Sequence, residues 1–71
     1  MVSRLVFHNW SVHGVRDELA AEGVPPHVVS ISAEPRSFTV YVELPYRFGR
    51  PLYDRLQDPN ETKGRSFPEI M

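Results

Sequence analysis

A chain of 71 residues encloses one small core, and a formal net charge of −1 fits neither a basic, general nucleic-acid binder nor a carboxylate-dense mimic of DNA. Without cysteine there is no disulfide and no thiolate for zinc. No apolar run approaches the roughly 20 residues that span a bilayer, and the apolar opening breaks at His8-Asn9, too early for a signal peptide, so a cytoplasmic protein is the expectation.

Val2 to His8 reads as a strand, with Leu5 and Phe7 on one face and Arg4, Val6 and His8 on the other. Asn9 or Ser11 can then cap a helix whose apolar stripe is Val12, Val15 and Leu19, spaced three and four apart. Gly23 suits the position just past that helix, Val24 can pack back over its last turn, and Pro25-Pro26 forbid continuation. Gly14 permits close packing on a sheet, or it marks a loose first turn. Trp10, the only tryptophan, sits at the strand–helix junction, where a large ring staples the first turn when buried and anchors a partner when exposed.

The clearest pattern is "HVVSISAEPRSFTVYVEL". Val29, Ile31 and Ala33 alternate with Val28, Ser30 and Ser32, while Phe38, Val40, Val42 and Leu44 alternate with Thr39, Tyr41 and Glu43. Glu34-Pro35-Arg36-Ser37 between them has proline where a turn wants φ near −65°. Strand, helix and hairpin together make a split β-α-β unit with a right-handed crossover. The expected fold class is α+β: a three-stranded antiparallel sheet in the order 1-3-2, one covering helix, a short C-terminal helix and a flexible tail. One face of the sheet, with Ser30, Ser32, Thr39 and Tyr41, is left to solvent or a partner.

Leu44 to Leu56, "LPYRFGRPLYDRL", gathers three aromatics and three arginines. Pro45 ends the strand, Gly49-Arg50-Pro51 turns the chain, and Pro51 opens a short helix that faces Leu52, Tyr53 and Leu56 to one side. Asp58-Pro59-Asn60 stops it. Residues 58–71 are polar and aperiodic apart from the small apolar cluster Phe67-Pro68-Glu69-Ile70-Met71, so the expected division is a domain over 1–57 and a tail over 58–71.

Few residues offer chemistry. His13 and Asp17, four apart on the predicted helix, could share a metal or a proton, but an exposed pair at that spacing is ordinary helix electrostatics. His8 and His27 complete no ligand set, and no nucleophile elbow, phosphate loop or metalloprotease pattern occurs. No catalytic residue, metal or cofactor is therefore expected. In the Leu44–Leu56 segment, Phe48, Leu52 and Leu56 read as core. Tyr46, Arg47, Arg50, Tyr53 and Arg55 read as a contact surface, because tyrosine and arginine are enriched in interface hot spots. The basic residues are seven arginines and one lysine, Lys63, a bias that a GC-rich genome can produce and that interfaces also favour for the planar fork of the guanidinium.

The leading expectation is a non-enzymatic protein-binding module that inhibits or modulates a larger machine. The alternative is a nucleic-acid binder that sets Arg4, Arg36, Arg47, Arg50 and Arg55 on phosphates; a small enzyme comes third. In size, single-domain economy and lack of a catalytic signature, the chain resembles the small proteins with which bacteriophages disable host machinery, among them inhibitors of bacterial RNA polymerase and some anti-CRISPR proteins. That resemblance implies a partner such as bacterial RNA polymerase in the host cytoplasm, and regulation of transcription by occupying a surface the enzyme needs. It assigns no residues.

Overall fold

The computed structural model describes residues 1–71. In chain order the elements are β1 (Val2–His8), α1 (Val12–Ala21), a 3₁₀ turn (Pro26–Val28), β2 (Ser30–Ala33), β3 (Thr39–Pro45), α2 (Tyr46–Arg55), α3 (Pro59–Thr62) and β4 (Glu69–Ile70). The class is the expected α+β. β3 lies between β1 and β2 and antiparallel to both, and β4 adds to the outer edge of β1, giving the order β2-β3-β1-β4. No helix is long and apolar enough to cross a membrane.

Register follows the alternation of the sequence. Leu5 pairs with Val42 and Val42 with Ile31; Phe7 pairs with Val40 and Val40 with Ala33. A one-residue slip would turn this whole set to the other face, so burial fixes the pairing. Leu5, Phe7, Val40, Val42 and Leu44 join Trp10, Val15, Leu19, Val24, Leu52 and Leu56 in one buried cluster. Both long helices thus cover the same side of the sheet.

The termini of α1 follow from side-chain chemistry. The Ser11 hydroxyl accepts from Gly14 N–H at 2.9 Å, so Ser11 is the cap, while Asn9 takes a left-handed φ of 61° in the turn before it. Gly23, at φ 76°, reverses the backbone. Val24 N–H then reaches the Leu19 carbonyl and Gly23 N–H the Ala20 carbonyl, with Val24 buried. Gly14 is buried, and a Cβ there would lie 3.5 Å from the Trp10 ring, so its close neighbour is the Trp10 side chain and not the sheet.

Several expectations need correction. The helix after β3 starts at Tyr46, not at Pro51, and Gly49-Arg50-Pro51 lies inside it. Pro51 has no N–H to give the carbonyl four residues back, but the helix runs on because its apolar face is anchored: Leu52 and Leu56 are fully buried. Gly49 is needed there for contact. A Cβ at that position would lie 2.5 Å from Ser3 Cβ and 2.7 Å from Ser3 Oγ, so only glycine lets α2 sit this close to β1. Phe38 does not join the core face. It is 71% exposed, because it precedes the last strand pair, His8 with Thr39, and only its carbonyl is engaged, by Trp10 N–H. Val6 is buried despite facing away from the helices.

The largest correction concerns residues 58–71, which pack against the rest instead of forming a flexible tail, so the sheet has four strands and the folded body does not stop at residue 57. Asp58-Pro59, read as a helix stop, is also a helix start: the Asp58 carboxylate accepts from Asn60 N–H at 3.0 Å and Pro59 occupies the first helical position of α3. Thr62 and Pro68 are buried. Trp10 Nε1–H donates to the Ser66 carbonyl at 2.8 Å, Gln57 Nε2–H donates to the Pro68 carbonyl at 3.1 Å, and Met71 N–H donates to the Arg4 carbonyl at 2.9 Å.

Truncation after Asp58 would uncover Trp10 and strip the edge of β1. A loss of about 2 kcal/mol corresponds to roughly 10 °C or more in Tm for a domain of this size, and the expected outcome is at least that fall in a circular-dichroism melt, with a red-shifted Trp10 emission. An unchanged melt would show that the docked segment contributes nothing. For Gly49→Ala the expected cost is about 1–3 kcal/mol from overpacking, partly recovered in denaturant titrations by adding Ser3→Gly, which removes the atoms the new methyl meets.

Candidate partner-binding surface

α2 presents its outer side beside the edge where β1 and β4 pair. Tyr46, Arg50 and Tyr53 from α2, Val2 and Arg4 from β1, and Ile70 and Met71 together line a shallow groove of about 220 Å³. Gly49 forms part of its floor, so the close approach that excludes a side chain there also shapes the groove. Val2, Tyr46, Ile70 and Met71 are all exposed although apolar or aromatic, an unusual concentration on a chain this small.

The five residues expected to make the contact surface divide three ways. Tyr46, Arg50 and Tyr53 come together in the groove. Arg47 lies on the same helix outside the lining, its guanidinium 4.8 Å above the Phe48 ring, with no carboxylate partner. Arg55 is turned inward and is removed from the set. Its Nη2–H donates to Glu18 at 2.7 Å, Nε–H to Glu22 at 3.0 Å and Nη1–H to Glu61 at 3.1 Å. Its side chain keeps only 27% of its exposure. Partial burial works against the charge, and the bonds to Glu18 and Glu22 outweigh it, so the pKa of Arg55 is raised. Arg55 thus ties α2 to α1 and α3.

Arg50 is half held. Its Nε–H is shared between both Asp54 carboxylate oxygens, at 3.1 and 3.0 Å, one helical turn on. The hydrogen bond to Asp54 raises its pKa, with the Tyr46 hydroxyl adding to the effect. An exposed pair of this kind contributes little to stability, but it orients the guanidinium in the groove. The sequence reading missed Val2, Ile70 and Met71. The signal that could have found them is the apolar cluster at residues 67–71, out of place in a polar tail.

On the uncovered face of the sheet, every charged group has a partner. Arg4 lies 3.6 Å from Glu43, His8 Nε2 lies 3.0 Å from Glu69 Oε1, and the Glu34 carboxylate accepts from the Tyr41 and Ser37 hydroxyls. Thr39 Oγ1, 3.4 Å from His8 Nδ1, completes a row of hydroxyl, imidazole and carboxylate. None of the four grooves on the surface is lined by these three residues. His13 and Asp17 do meet, at 3.4 Å, on an exposed helix face, and no third ligand joins them. No protein-family model matches the chain, and no curated protein or solved structure matches it.

The Tyr41–Glu34 bond sets a pH signature. The Tyr41 bond holds the Glu34 carboxyl below its ordinary 4.5, and the same bond raises the Tyr41 phenol above 10.0. A lowered acid contributes stability above its unfolded pKa and loses it as pH falls through the folded value; a raised phenol contributes below 10.0 and loses it as pH rises through its folded value. The contribution is therefore complete between about 4.5 and 10.0. In an NMR titration Tyr41 should ionise above 10.0, and Glu34→Gln should bring it down; an unmoved Tyr41 would mean the bond does not form in solution.

Proposed function

We propose that the chain is a non-enzymatic protein-binding module, and that the groove of Tyr46, Arg50 and Tyr53, rimmed by Val2, Ile70 and Met71, is the surface that engages its partner. The observation that carries this reading is the coincidence of exposed apolar side chains, two tyrosines and an oriented arginine in one groove. Tyrosine gives large rigid contact area at low entropic cost, and arginine adds a bidentate donor to a carboxylate or carbonyl on the partner. The partner is a larger protein or complex, of which bacterial RNA polymerase is the candidate that the resemblance to small phage-encoded inhibitors suggests. Inhibition then works by occupation: the module covers a surface that the machine needs for a factor or for nucleic acid.

The distribution of charge speaks against the nucleic-acid alternative. Arg4, Arg50 and Arg55 each face a carboxylate, and Arg55 faces three. A phosphate backbone would have to displace those partners, and releasing counterions from a few remaining arginines gives a weak, strongly salt-dependent complex.

Binding to purified bacterial RNA polymerase is measured for the parent and for Tyr46→Ala and Arg50→Ala, each first checked for an unchanged melt. Each substitution should weaken the complex by about 1–2 kcal/mol, on the order of tenfold, and Arg50→Lys should rescue only partly. Folded variants that bind as tightly as the parent would overturn the assignment of the groove. Parent affinity that collapses with salt and recovers with lysine would favour the nucleic-acid reading.

A further inference from the structure

The two edges of the sheet differ. β4 covers part of the β1 edge, whereas β2 is outermost on its side and nothing pairs with it. Native edge strands are usually blunted by a charge, a proline or a bulge within the strand. Val28 to Ala33 contains none of the first two, and the β2–β3 register runs without interruption.

Backbone hydrogen bonding on β2 is committed in alternation. Glu34 N–H donates to the Thr39 carbonyl, so Glu34, Ser32 and Ser30 are the residues that exchange bonds with β3. Ile31 and Ala33 lie opposite Val42 and Val40 in the non-bonded pairs, so their N–H and C=O groups point away from β3. Val29 N–H is spent on the Pro26 carbonyl, leaving its C=O. Beside this edge, between β2 and α1, runs a mostly apolar groove of about 240 Å³ lined by Leu19, Ala20, Val24, Pro26, Val29 and Ile31, with Arg16 its one charged residue.

We propose that β2 pairs with β2 of a second copy of this chain, antiparallel about a two-fold axis through Ile31, to make one continuous sheet across a dimer. This inference is independent of the partner-binding reading. The free groups are self-complementary in that register. Ile31 N–H meets the Ile31 carbonyl of the other copy, and Ala33 N–H meets the Val29 carbonyl, which is the one group Val29 has to offer. Side chains match as well: Val29 opposes Ala33 beside the apolar grooves, Ser30 opposes Ser32 on the open face, and Glu34 opposes Val28, so no like charges meet. A net charge of −1 per chain adds little repulsion. Pro26 and Pro35 flank the strand and stop the pairing from spreading, and the two-fold consumes both free edges, so the assembly closes at two. The dimer would carry the Tyr46–Arg50 groove twice, on the β1 side of each copy.

Sedimentation from about 10 µM to about 1 mM, a range that brackets weak edge-to-edge pairing, tests this. The parent should rise from monomer towards twice that mass. Ala33→Pro removes an outward N–H that β3 does not use, so this variant should stay monomeric at every concentration with a melt within a few degrees of the parent. The cysteine-free chain permits a second readout that does not depend on the proline variant folding. An equimolar mixture of Ser30→Cys and Ser32→Cys should oxidise chiefly to the mixed disulfide dimer, and Ser32→Cys alone should cross-link several-fold less. A parent that stays monomeric at the highest concentration, a folded Ala33→Pro variant that still dimerises, or Ser32→Cys alone cross-linking as well as the mixture would each overturn the proposal.

Discussion

Trp10 joins the part of the chain whose pattern is strong to the part whose pattern is weak. Its ring meets Phe7 edge-on, with centroids 5.1 Å apart and planes at 73°, and so continues the core beyond β1 into the turn that starts α1. A buried indole must give its N–H to an acceptor or lose the desolvation energy of that group, and here the acceptor is the Ser66 carbonyl, at 2.8 Å. The Arg65 guanidinium lies 4.7 Å over the same ring, adding a cation–π contact to the opposite demand for an apolar cover. Together these contacts fix residues 65–66. From there the chain needs only a few extended residues to reach the edge of β1, where Met71 N–H finds the Arg4 carbonyl. The groove exists because of that path: Ile70 and Met71 line it only while Trp10 holds the segment that precedes them.

Arg55 has the matching role for the helices. Glu18 and Glu22, one turn apart on α1, would repel each other on a surface kept partly from water. Placed between them, a guanidinium converts that repulsion into two charge-assisted bonds and reaches Glu61 on α3 with its remaining nitrogen. The geometry requires a planar fork with donors on separate edges. A lysine ammonium, a single point at the end of a flexible stem, could not span three carboxylates on two elements in this way.

The sheet was legible because its signal is local. Alternation at Leu5–Phe7, Val29–Ala33 and Val40–Leu44 names the buried face and the pairing partners at once, and Ser11, Gly14, Gly23 and Val24 carry the start and end of α1 in their own chemistry. Features that depend on residues far apart in the chain were not legible. Nothing near Gly49 announces that Ser3 will lie against it, so a glycine beside a proline reads as a turn when it is a contact. Asp58-Pro59 is ambiguous in principle, since the residues that forbid one helix from continuing are those that begin the next. Arg55 looked available because its three partners lie six to 37 positions away. Three of the five expected surface residues do share a groove, and the apolar residues that complete it come from segments that sequence proximity does not connect to them.

The arginine bias of the composition acquires a physical reading in this arrangement. Arg65 and Arg47 stack on rings, Arg55 bridges carboxylates, Arg50 is oriented by its neighbour one turn on, and Arg4 faces Glu43 across the strands. Stacking and forked pairing are what a guanidinium does and an ammonium does poorly, whereas Lys63, the one lysine, caps α3 in the left-handed conformation. The guanidinium groups of Arg4, Arg50 and Arg55 are thus matched by carboxylates, and those of Arg47 and Arg65 lie against aromatic rings. The groove therefore offers apolar and aromatic area with one oriented donor set, and on the proposed partner-binding reading it would select by shape and bidentate hydrogen bonding more than by long-range attraction.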